Sequence, residues 1–528
     1  VPSAPGDDQS GETWLAVDRE FAERRDRIRS DMGGRHRIEA LHRVGAQTAR
    51  ERIEVLADEG TFREIGTFAT SGRPEDWPAT PADGRIAGFA SVAGRPVGIV
   101  ADDATVKAAT AAPVNIRKAD KVYEQSLRAG HPLVYIGETR GSRIPESMGS
   151  AGLSTVSGEG VSWARRRRRI PMATIITGLS FGGSSFFAAL SDLVVQVRGS
   201  CLAVTSPAVI ESATGERTDF EALGGAAVHE RVTGQVDLVA DDEETALSLV
   251  RQWLGFLPSS QAAPPPHIPP QSPPGRRAAR EIVPRRRERA YDMRHLLAEI
   301  VDAGEFLELK PAFGRGLVTA LARIGGRPVG IFASNPRYLA GSLDPDACDK
   351  GTRLLCLCDA FGLPVVFLHD SPGFLVGTAV EHRRALSKCV LFLEALALSS
   401  VPRISIVIRK SYGLAYTSLG GAGTDSDLLL AWPGAEIGFM DPDVAAEALY
   451  ARQLAGLDGA ERAARAAELA DDLKRSDSVW GAAATMAVDE VIDPEETRAV
   501  LAAELSRHDG RPLPQSAERL LSGWPTCW

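Results

Sequence analysis

The stretch Thr177-Gly178-Leu179-Ser180-Phe181-Gly182-Gly183-Ser184-Ser185 joins an apolar strand pattern to a helix-like segment, Phe186 to Asp192. A glycine turn at a helix start leaves main-chain N–H groups without acceptors, and the absent side chain lets a ligand oxygen come close. Amides so placed suit an oxyanion hole, which holds the oxygen of a developing enolate or tetrahedral species; one donor is worth about 3–4 kcal/mol of barrier. The plainer reading is a tight turn that merely needs glycine. Arg409-Lys410-Ser411-Tyr412-Gly413-Leu414-Ala415-Tyr416 repeats the strand–turn–helix setting later in the chain. Two such turns favour chemistry, because a reaction with two carbonyl oxygens to stabilise needs two of them.

Side chains offer weaker candidates. Ser184 and Ser185 would be nucleophiles only beside a base, and no Gly-x-Ser-x-Gly elbow surrounds them. His369-Asp370 end an apolar strand pattern, where α/β sites often lie, and could form a titrating pair; capping of the turn before Pro372 is the plainer reading. The run Arg165 to Arg169 reads as a solvated face, or as an attractor of phosphates or of an acidic partner. Lys107, Arg117, Lys118 and Lys121 are similar candidates. Cys356 and Cys358 read as core packing.

The elements that position these residues come in two sets. Gly94-Arg95-Pro96-Val97-Gly98-Ile99 recurs 232 positions on, from Gly326 to Ile331. The segment starting at Pro132 matches the one starting at Pro364, again at 232, and Gly182 falls opposite Gly413 at an offset of 231. Three matches in order at a near-constant offset indicate a duplicated domain. Short apolar strands are expected at 97–101, 133–136 and 173–177, and at 329–333, 365–368 and 404–408. Such continuous apolar runs are buried on both faces, which gives α/β layering. Charged sequence with apolar residues at helical spacing covers residues 14–57, while residues 1–12 read as a frayed polar end. Between the halves, residues 258–286 are rich in proline and read as a semi-rigid extended connection. The expected organisation is an extension at 1–35, a first domain at 36–262, a linker at 263–286 and a second domain at 287–528.

Composition narrows the field. Of 528 residues, 44% are hydrophobic and 24% charged, ordinary for a soluble globular chain. No apolar run reaches the roughly 18–20 residues of a membrane span, so no membrane partner is expected. Six cysteines without a CxxC pair argue against a disulfide scaffold or structural zinc, and no metal is expected. A cytoplasmic location fits best. A net charge of −9 argues against nucleic acid as partner.

From Thr48 to Glu447 the chain resembles the carboxyltransferase (β) subunits of biotin-dependent acyl-CoA carboxylases, the propionyl-CoA and acetyl-CoA carboxylase group. The resemblance rests on Thr48-Ala49-Arg50-Glu51-Arg52-Ile53, Asp103-Ala104-Thr105-Val106, Leu223-Gly224-Gly225 and Asn335-Pro336. It continues through Cys358-Asp359-Ala360-Phe361, Pro372-Gly373-Phe374 with Gly377, Arg409-Lys410, Tyr412-Gly413, Ala415-Tyr416 and Trp432-Pro433 with Glu436. It implies an α/β fold of two tandem crotonase-like (ClpP/crotonase) ββα-spiral domains. It also implies a homohexamer, a trimer of dimers, with each site between the first half of one chain and the second half of another. An acyl-coenzyme A thioester is the implied substrate, and Gly182 and Gly183 correspond to the amides on its carbonyl oxygen. Leu414 and Ala415 correspond to those on the ureido oxygen of carboxybiotin. Arg143, Ser184, Gly413 and Thr417 fall at substrate-binding positions, and Tyr412, Tyr416, Pro372, Gly373 and Phe374 at biotin-facing ones. In such a site carboxybiotin releases CO2, its nitrogen takes the α-proton, and the enolate captures the CO2.

The chain departs from the family pattern in places. Leu414 stands where many members have glycine, and Thr417 where several have a substrate-selecting aspartate. Ala108-Ala109-Thr110 replaces Gly-Gly-Ser, and Glu138-Thr139-Arg140-Gly141-Ser142-Arg143 replaces Asp-Ser-Gly-Gly-Ala-Arg. The chain carries no Met-Lys-Met biotinylation site and no ATP-grasp signature, so the implied partners are a biotin carboxylase and a biotin carboxyl carrier subunit. The alternatives are a biotin-independent decarboxylase or acyl transferase acting on a malonyl-type thioester, and an inactive scaffold subunit.

Overall fold

The computed structural model describes residues 8–156, 159–511 and 519–525. The chain divides into two units. The first comprises Val1–Arg166, Met172–Val228 and Val239–Arg251; the second comprises Arg167–Pro171, His229–Leu238 and Gln252–Trp528.

In the first unit the strands are β1 (Arg63–Ile65), β2 (Arg85–Val92), β3 (Arg95–Asp102), β4 (Leu133–Thr139), β5 (Met172–Phe181), β6 (Leu193–Val197), β7 (Cys201–Ala203) and β8 (Leu238–Ala240). They make one sheet in the order β1-β2-β3-β4-β5-β6-β8, with β7 paired to β5. The β2–β3 pair is an antiparallel hairpin; β3 to β6 run parallel. Ala93 and Gly94 turn the hairpin with φ of 51° and 75°, the left-handed pair that a two-residue connection requires. The parallel strands are apolar and buried along nearly their whole length, as strands covered on both faces must be.

The second unit repeats this plan. Its strands are β9 (Phe306–Leu309), β10 (Leu317–Ile324), β11 (Arg327–Ser334), β12 (Val365–Ser371), β13 (Arg403–Tyr412), β14 (Leu428–Ala431), β15 (Glu436–Gly438) and β16 (Glu490–Val491). The order is β9-β10-β11-β12-β13-β14-β16, with β15 paired to β13. Gly325 and Gly326 turn the hairpin here, at φ 60° and 80°.

The repeated hexapeptide has a packing reason in each unit. A Cβ on Gly98 would lie 2.2 Å from Ser126 Oγ on the Pro113–Ala129 helix. A Cβ on Gly330 would lie 2.4 Å from Cys358 Sγ on the Pro345–Phe361 helix. Glycine is what lets the crossover helix press on the strand in both units. Cys356 and Cys358 are fully buried, as their core reading requires.

The N-terminal region forms helices Asp8–Asp31, Arg35–Arg43 and Ala49–Leu56. Residues 8–12, expected as frayed chain, open the first of these; residues 1–7 lie outside the described residues. Thr48 and Glu51 cap the third helix reciprocally, and its Ile53 and Leu56 are buried.

The proline-rich stretch is not extended throughout. Ile268 N donates to Gly326 O, and Ala279–Ile282 forms one helical turn whose Ala279 and Ile282 join the core of the second unit. The prolines stop at Pro274 and resume at Pro284, which leaves a helix-compatible run between them.

Candidate active site

Strand β5 ends at Phe181 and the Gly183–Leu190 helix begins two residues later. Gly182 makes the corner with φ 66° and ψ −126°, a conformation that only glycine adopts without strain. Its N–H donates to Val204 O at 3.2 Å, just past β7. Gly182 is therefore corrected as an oxyanion donor: its amide is engaged within the fold, and its part is to shape the corner. The amides at the first two helical positions are those of Gly183 and Ser184. Ser185 N and Phe186 N return to Gly182 O. The Ser184 hydroxyl is turned inward, bonded to Ser180 Oγ, and Ser185 Oγ donates to Gly182 O at 2.7 Å. Neither serine meets a base in these bonds.

Strand β13 ends at Tyr412, and Gly413 opens the Gly413–Ser418 helix at φ 60°. A Cβ on Gly413 would lie 3.1 Å from Phe439 O, the residue just past β15. Phe439 and Val204 thus hold equivalent places, each with its carbonyl against a glycine corner. Ala415 is fully buried, whereas the Leu414 side chain is 71% exposed. Its substitution for glycine leaves the amides at the helix start in place. Thr417 lies one turn on. Tyr412 is buried, its hydroxyl 2.5 Å from Glu436 Oε2. Tyr416 packs edge-on to the His369 ring at 6.0 Å.

Each corner is flanked by a glycine loop from the neighbouring strand. A Cβ on Gly182 would be 3.8 Å from Gly141 Cα, and one on Gly373 would be 3.7 Å from Tyr412 O. Gly141 and Gly373 are equivalent positions. The Pro372-Gly373-Phe374 loop is pinned by Leu343 N to Gly373 O (3.1 Å) and Leu375 N to Leu343 O (2.9 Å).

Several candidate side chains serve the scaffold instead. Arg143 is buried, with Nη1 2.5 Å from Asp83 Oδ1 and Nη2 donating to the carbonyls of Asp83 and Thr110. Its charge is spent holding two loops together. The arginine run is not one solvated face: Arg166 is buried against Asp192, and Arg168 donates to the carbonyls of Leu521, Trp524 and Pro525. Lys118 is buried 3.6 Å from Glu64, which removes it from any phosphate. Lys107 is partly exposed and pairs with Asp76 at 3.3 Å.

His369 and Asp370 do not cap the turn. Both are fully buried. His369 Nδ1 lies 3.0 Å from Ser411 Oγ, and burial lowers its pKa to about 3, so it stays neutral and is no general base near neutrality. Asp370 receives Tyr291 OH at 2.9 Å, Arg409 Nε at 2.9 Å and Lys410 Nζ at 2.6 Å. The strand register explains this convergence. His369 pairs with Val407 but Ser371 with Ser411, so Asp370 faces the extra residues of β13. The same irregularity recurs between Gly137 and Thr139, where Glu138 takes Arg52 Nη1 at 2.7 Å. The duplicated carboxylate beneath each corner escaped the sequence reading. The offset of 232 pairs Glu138 with Asp370 and was the available signal.

Among the described residues, no cluster of His, Cys, Asp or Glu could hold a metal, and no helix is long and apolar enough to cross a membrane.

Known proteins share this arrangement. The carboxyl transferase domain family matches residues 40–519. The methylmalonyl-CoA carboxyltransferase 12S subunit of Propionibacterium freudenreichii subsp. shermanii is 34% identical over 496 residues, 93% of each chain. The propionyl-CoA carboxylase carboxyltransferase subunit of Haloferax mediterranei is 35% identical, over 90% of this chain and 92% of its own. A crystal structure of the transcarboxylase 12S hexamer with methylmalonyl-coenzyme A and methylmalonic acid bound superposes with a TM-score of 0.86 at 33% identity, covering 98% of both chains. With its two crotonase-like α/β units and a match that spans nearly all of its length, the chain belongs to the carboxyl transferase domain family.

Proposed function

We propose that this protein moves a carboxyl group from carboxybiotin to the α-carbon of an acyl-coenzyme A thioester. The observation that carries the reading is the duplicated corner: strand, left-handed glycine, helix start, at equivalent places in two units. The first corner takes the thioester oxygen and the second the ureido oxygen. Carboxybiotin supplies the carboxyl group and, once that has left, a basic nitrogen. Gly183 and Ser184 N–H donate to the thioester oxygen and stabilise negative charge as the α-proton leaves. Leu414 and Ala415 N–H donate at the second corner, where replacement of glycine by leucine keeps the main-chain N–H. No side-chain nucleophile is needed, which agrees with the buried hydroxyl of Ser184 and the neutral His369.

Biotin arrives on a carrier subunit charged by a biotin carboxylase, and the chain assembles as a hexamer, as the 12S subunit does. The site works in the cytoplasm.

Gly183→Pro is the direct test. Proline is tolerated at the first helical position, so the fold survives while one N–H is lost. The variant should lose about a hundredfold or more in the carboxylation of free biotin by methylmalonyl- or malonyl-coenzyme A. Ala415→Pro should lose the same reaction yet keep thioester binding by calorimetry. Full turnover in Gly183→Pro, or CO2 release from these thioesters without biotin at the same rate as with it, would overturn the assignment.

A further inference from the structure

Between the C-terminal end of the Asp8–Asp31 helix and the Pro74–Ala79 turn, within the first unit, lies a cavity of about 610 Å³. That is the size of an ordinary small-molecule site, and neither glycine corner lines it. Two kinds of side chain do. Trp77 and Phe68 are aromatic, and 54% and 47% exposed. The Trp77 ring is held by its Nε1, which donates to Ser71 O at 3.0 Å; Phe68 is held by the Phe21 ring, 5.7 Å away. Arg24 and Arg27 stand one turn apart on the helix and line the same cavity. Arg27 is exposed and makes no ion pair among the described residues. Arg24 meets Glu20 at 2.6 Å, but both side chains are more than half exposed, so water screens the pair. Asp31 is the one acidic residue in the wall, and Arg35 Nε faces it at 3.4 Å.

The cavity is tied to the first corner. Gly33 N donates to Thr105 Oγ1 at 3.0 Å, and a Cβ on Gly33 would lie 1.9 Å from Thr105 O, so the helix end is pressed onto the loop after β3. That loop leads into the turn at 107–109. Lys107 Nζ pairs at 3.3 Å with Asp76, the neighbour of Trp77. Arg140 N donates to Ala108 O at 3.3 Å and Ala111 N to Gly141 O at 2.8 Å, and Gly141 flanks the Gly182 corner. Residues 107–111 thus touch both the rim of the cavity and the loop beside the corner.

A fixed aromatic ring beside available arginine cations suits a flat heterocycle that carries phosphate: the ring stacks, and the guanidinium takes the phosphate oxygens. We propose that this cavity binds an adenine nucleotide, with the base against Trp77 and the phosphate against Arg27 and Arg24. Two molecules carry that chemistry. One is the nucleotide end of a coenzyme A thioester whose carbonyl sits at the first corner, which rests on the function proposed above. The other is a free adenine nucleotide, which does not.

The test is calorimetry on the full-length protein with propionyl-coenzyme A, propionyl-pantetheine, adenosine 3′,5′-bisphosphate and ATP. Trp77→Ala and Arg27→Glu should each weaken the nucleotide-bearing probe that binds by about tenfold. Trp77→Phe, which keeps a ring, should weaken it much less. Neither of the first two variants should change the affinity for propionyl-pantetheine. Arg19→Glu, on the same helix but outside the cavity, should behave as wild type. Competition separates the sources. Displacement of propionyl-coenzyme A by adenosine 3′,5′-bisphosphate, with both weakened in the variants, makes the thioester's own nucleotide the occupant. Binding of ATP beside saturating propionyl-coenzyme A, with ATP alone weakened, makes it a free nucleotide. The proposal is overturned if neither variant weakens any nucleotide-bearing probe, or if Arg19→Glu weakens it as much as Arg27→Glu. It is overturned equally if propionyl-pantetheine loses as much affinity as propionyl-coenzyme A. A protein that binds these probes as expected yet transfers no carboxyl group refutes the function above and leaves this site standing.

Discussion

Asp370 shows how much one buried carboxylate organises. It is fully buried and receives three donors, two of them cationic and adjacent in sequence. A buried charge is tolerable only when paired, and removing one partner of such a set costs about 3–5 kcal/mol. Asp370→Asn leaves Arg409 and Lys410 without their counter-charge just before the Gly413 corner. The expected result is a fall in unfolding free energy of about that size, with carboxyl transfer lost and thioester binding at the first corner kept. A denaturation midpoint equal to wild type would show that Asp370 is not the charge that holds the pair. The sequence marks His369-Asp370 as strand-end residues worth weighing, but their partners depend on an irregular strand register that no local pattern reports. The same holds for Gly182. Its glycine requirement is legible, whereas the capture of its amide by Val204 comes from a strand some twenty residues on.

Elements were easier to read than contacts. The apolar runs at 97–101, 133–136 and 173–177 and their counterparts all lie within β3, β4, β5, β11, β12 and β13. A parallel strand buried on both faces announces itself by composition alone. The duplication was legible because hairpin glycines and the strand glycine facing the crossover helix are imposed by backbone geometry. Less legible are the three-residue turns after β3 and β11. Lys107, Ala108 and Ala109 have φ of 48°, 53° and 50°, and Leu339, Ala340 and Gly341 have 48°, 53° and 86°. Left-handed runs in non-glycine residues go against local preference and are held by the surrounding structure. The second turn is the tighter one, since a Cβ on Gly341 would lie 2.3 Å from Asp370 O, a backbone atom of β12. Gly341→Ala should therefore cost more than about 2 kcal/mol, from left-handed strain plus the displacement of β12. Ala340→Gly, at the preceding position, should be neutral or stabilising within about 1 kcal/mol. Urea denaturation of both variants checks the pair; equal midpoints would mean that the turn does not press on β12.

At the scale of the whole molecule, buried lysines set how stability responds to alkali. Burial lowers Lys350 to about 7, and Lys310 and Lys118 to about 8. Lys350 is the cleanest of the three, because its Nζ donates to a carbonyl, Lys310 O at 3.3 Å, rather than to a carboxylate. Glu308 and Asp344 oppose the shift from nearby, and Arg294 adds to it. The unfolded chain protonates these amines up to about pH 10.4. Between roughly pH 7 and 8.5 the unfolded state therefore binds more protons through these amines than the folded one, and stability rises with pH; above about 8.5 the buried thiols of Cys201 and Cys358, pushed up by burial, oppose the rise. Tyr291 and Tyr412 act in the opposite sense. Burial pushes both phenols up, so the folded state keeps protons that the unfolded state loses past about pH 10, and stability falls again there. The expected profile has its maximum on the alkaline side of neutrality, not between pH 5 and 8 where many proteins have theirs. Urea midpoints at pH 7 and pH 8.5 should show the rise in the wild type. In Lys350→Met, which fills the same space without a proton to lose, the rise should be visibly smaller. An identical rise in that variant would remove Lys350 as its source and leave Lys310 and Lys118 to account for it.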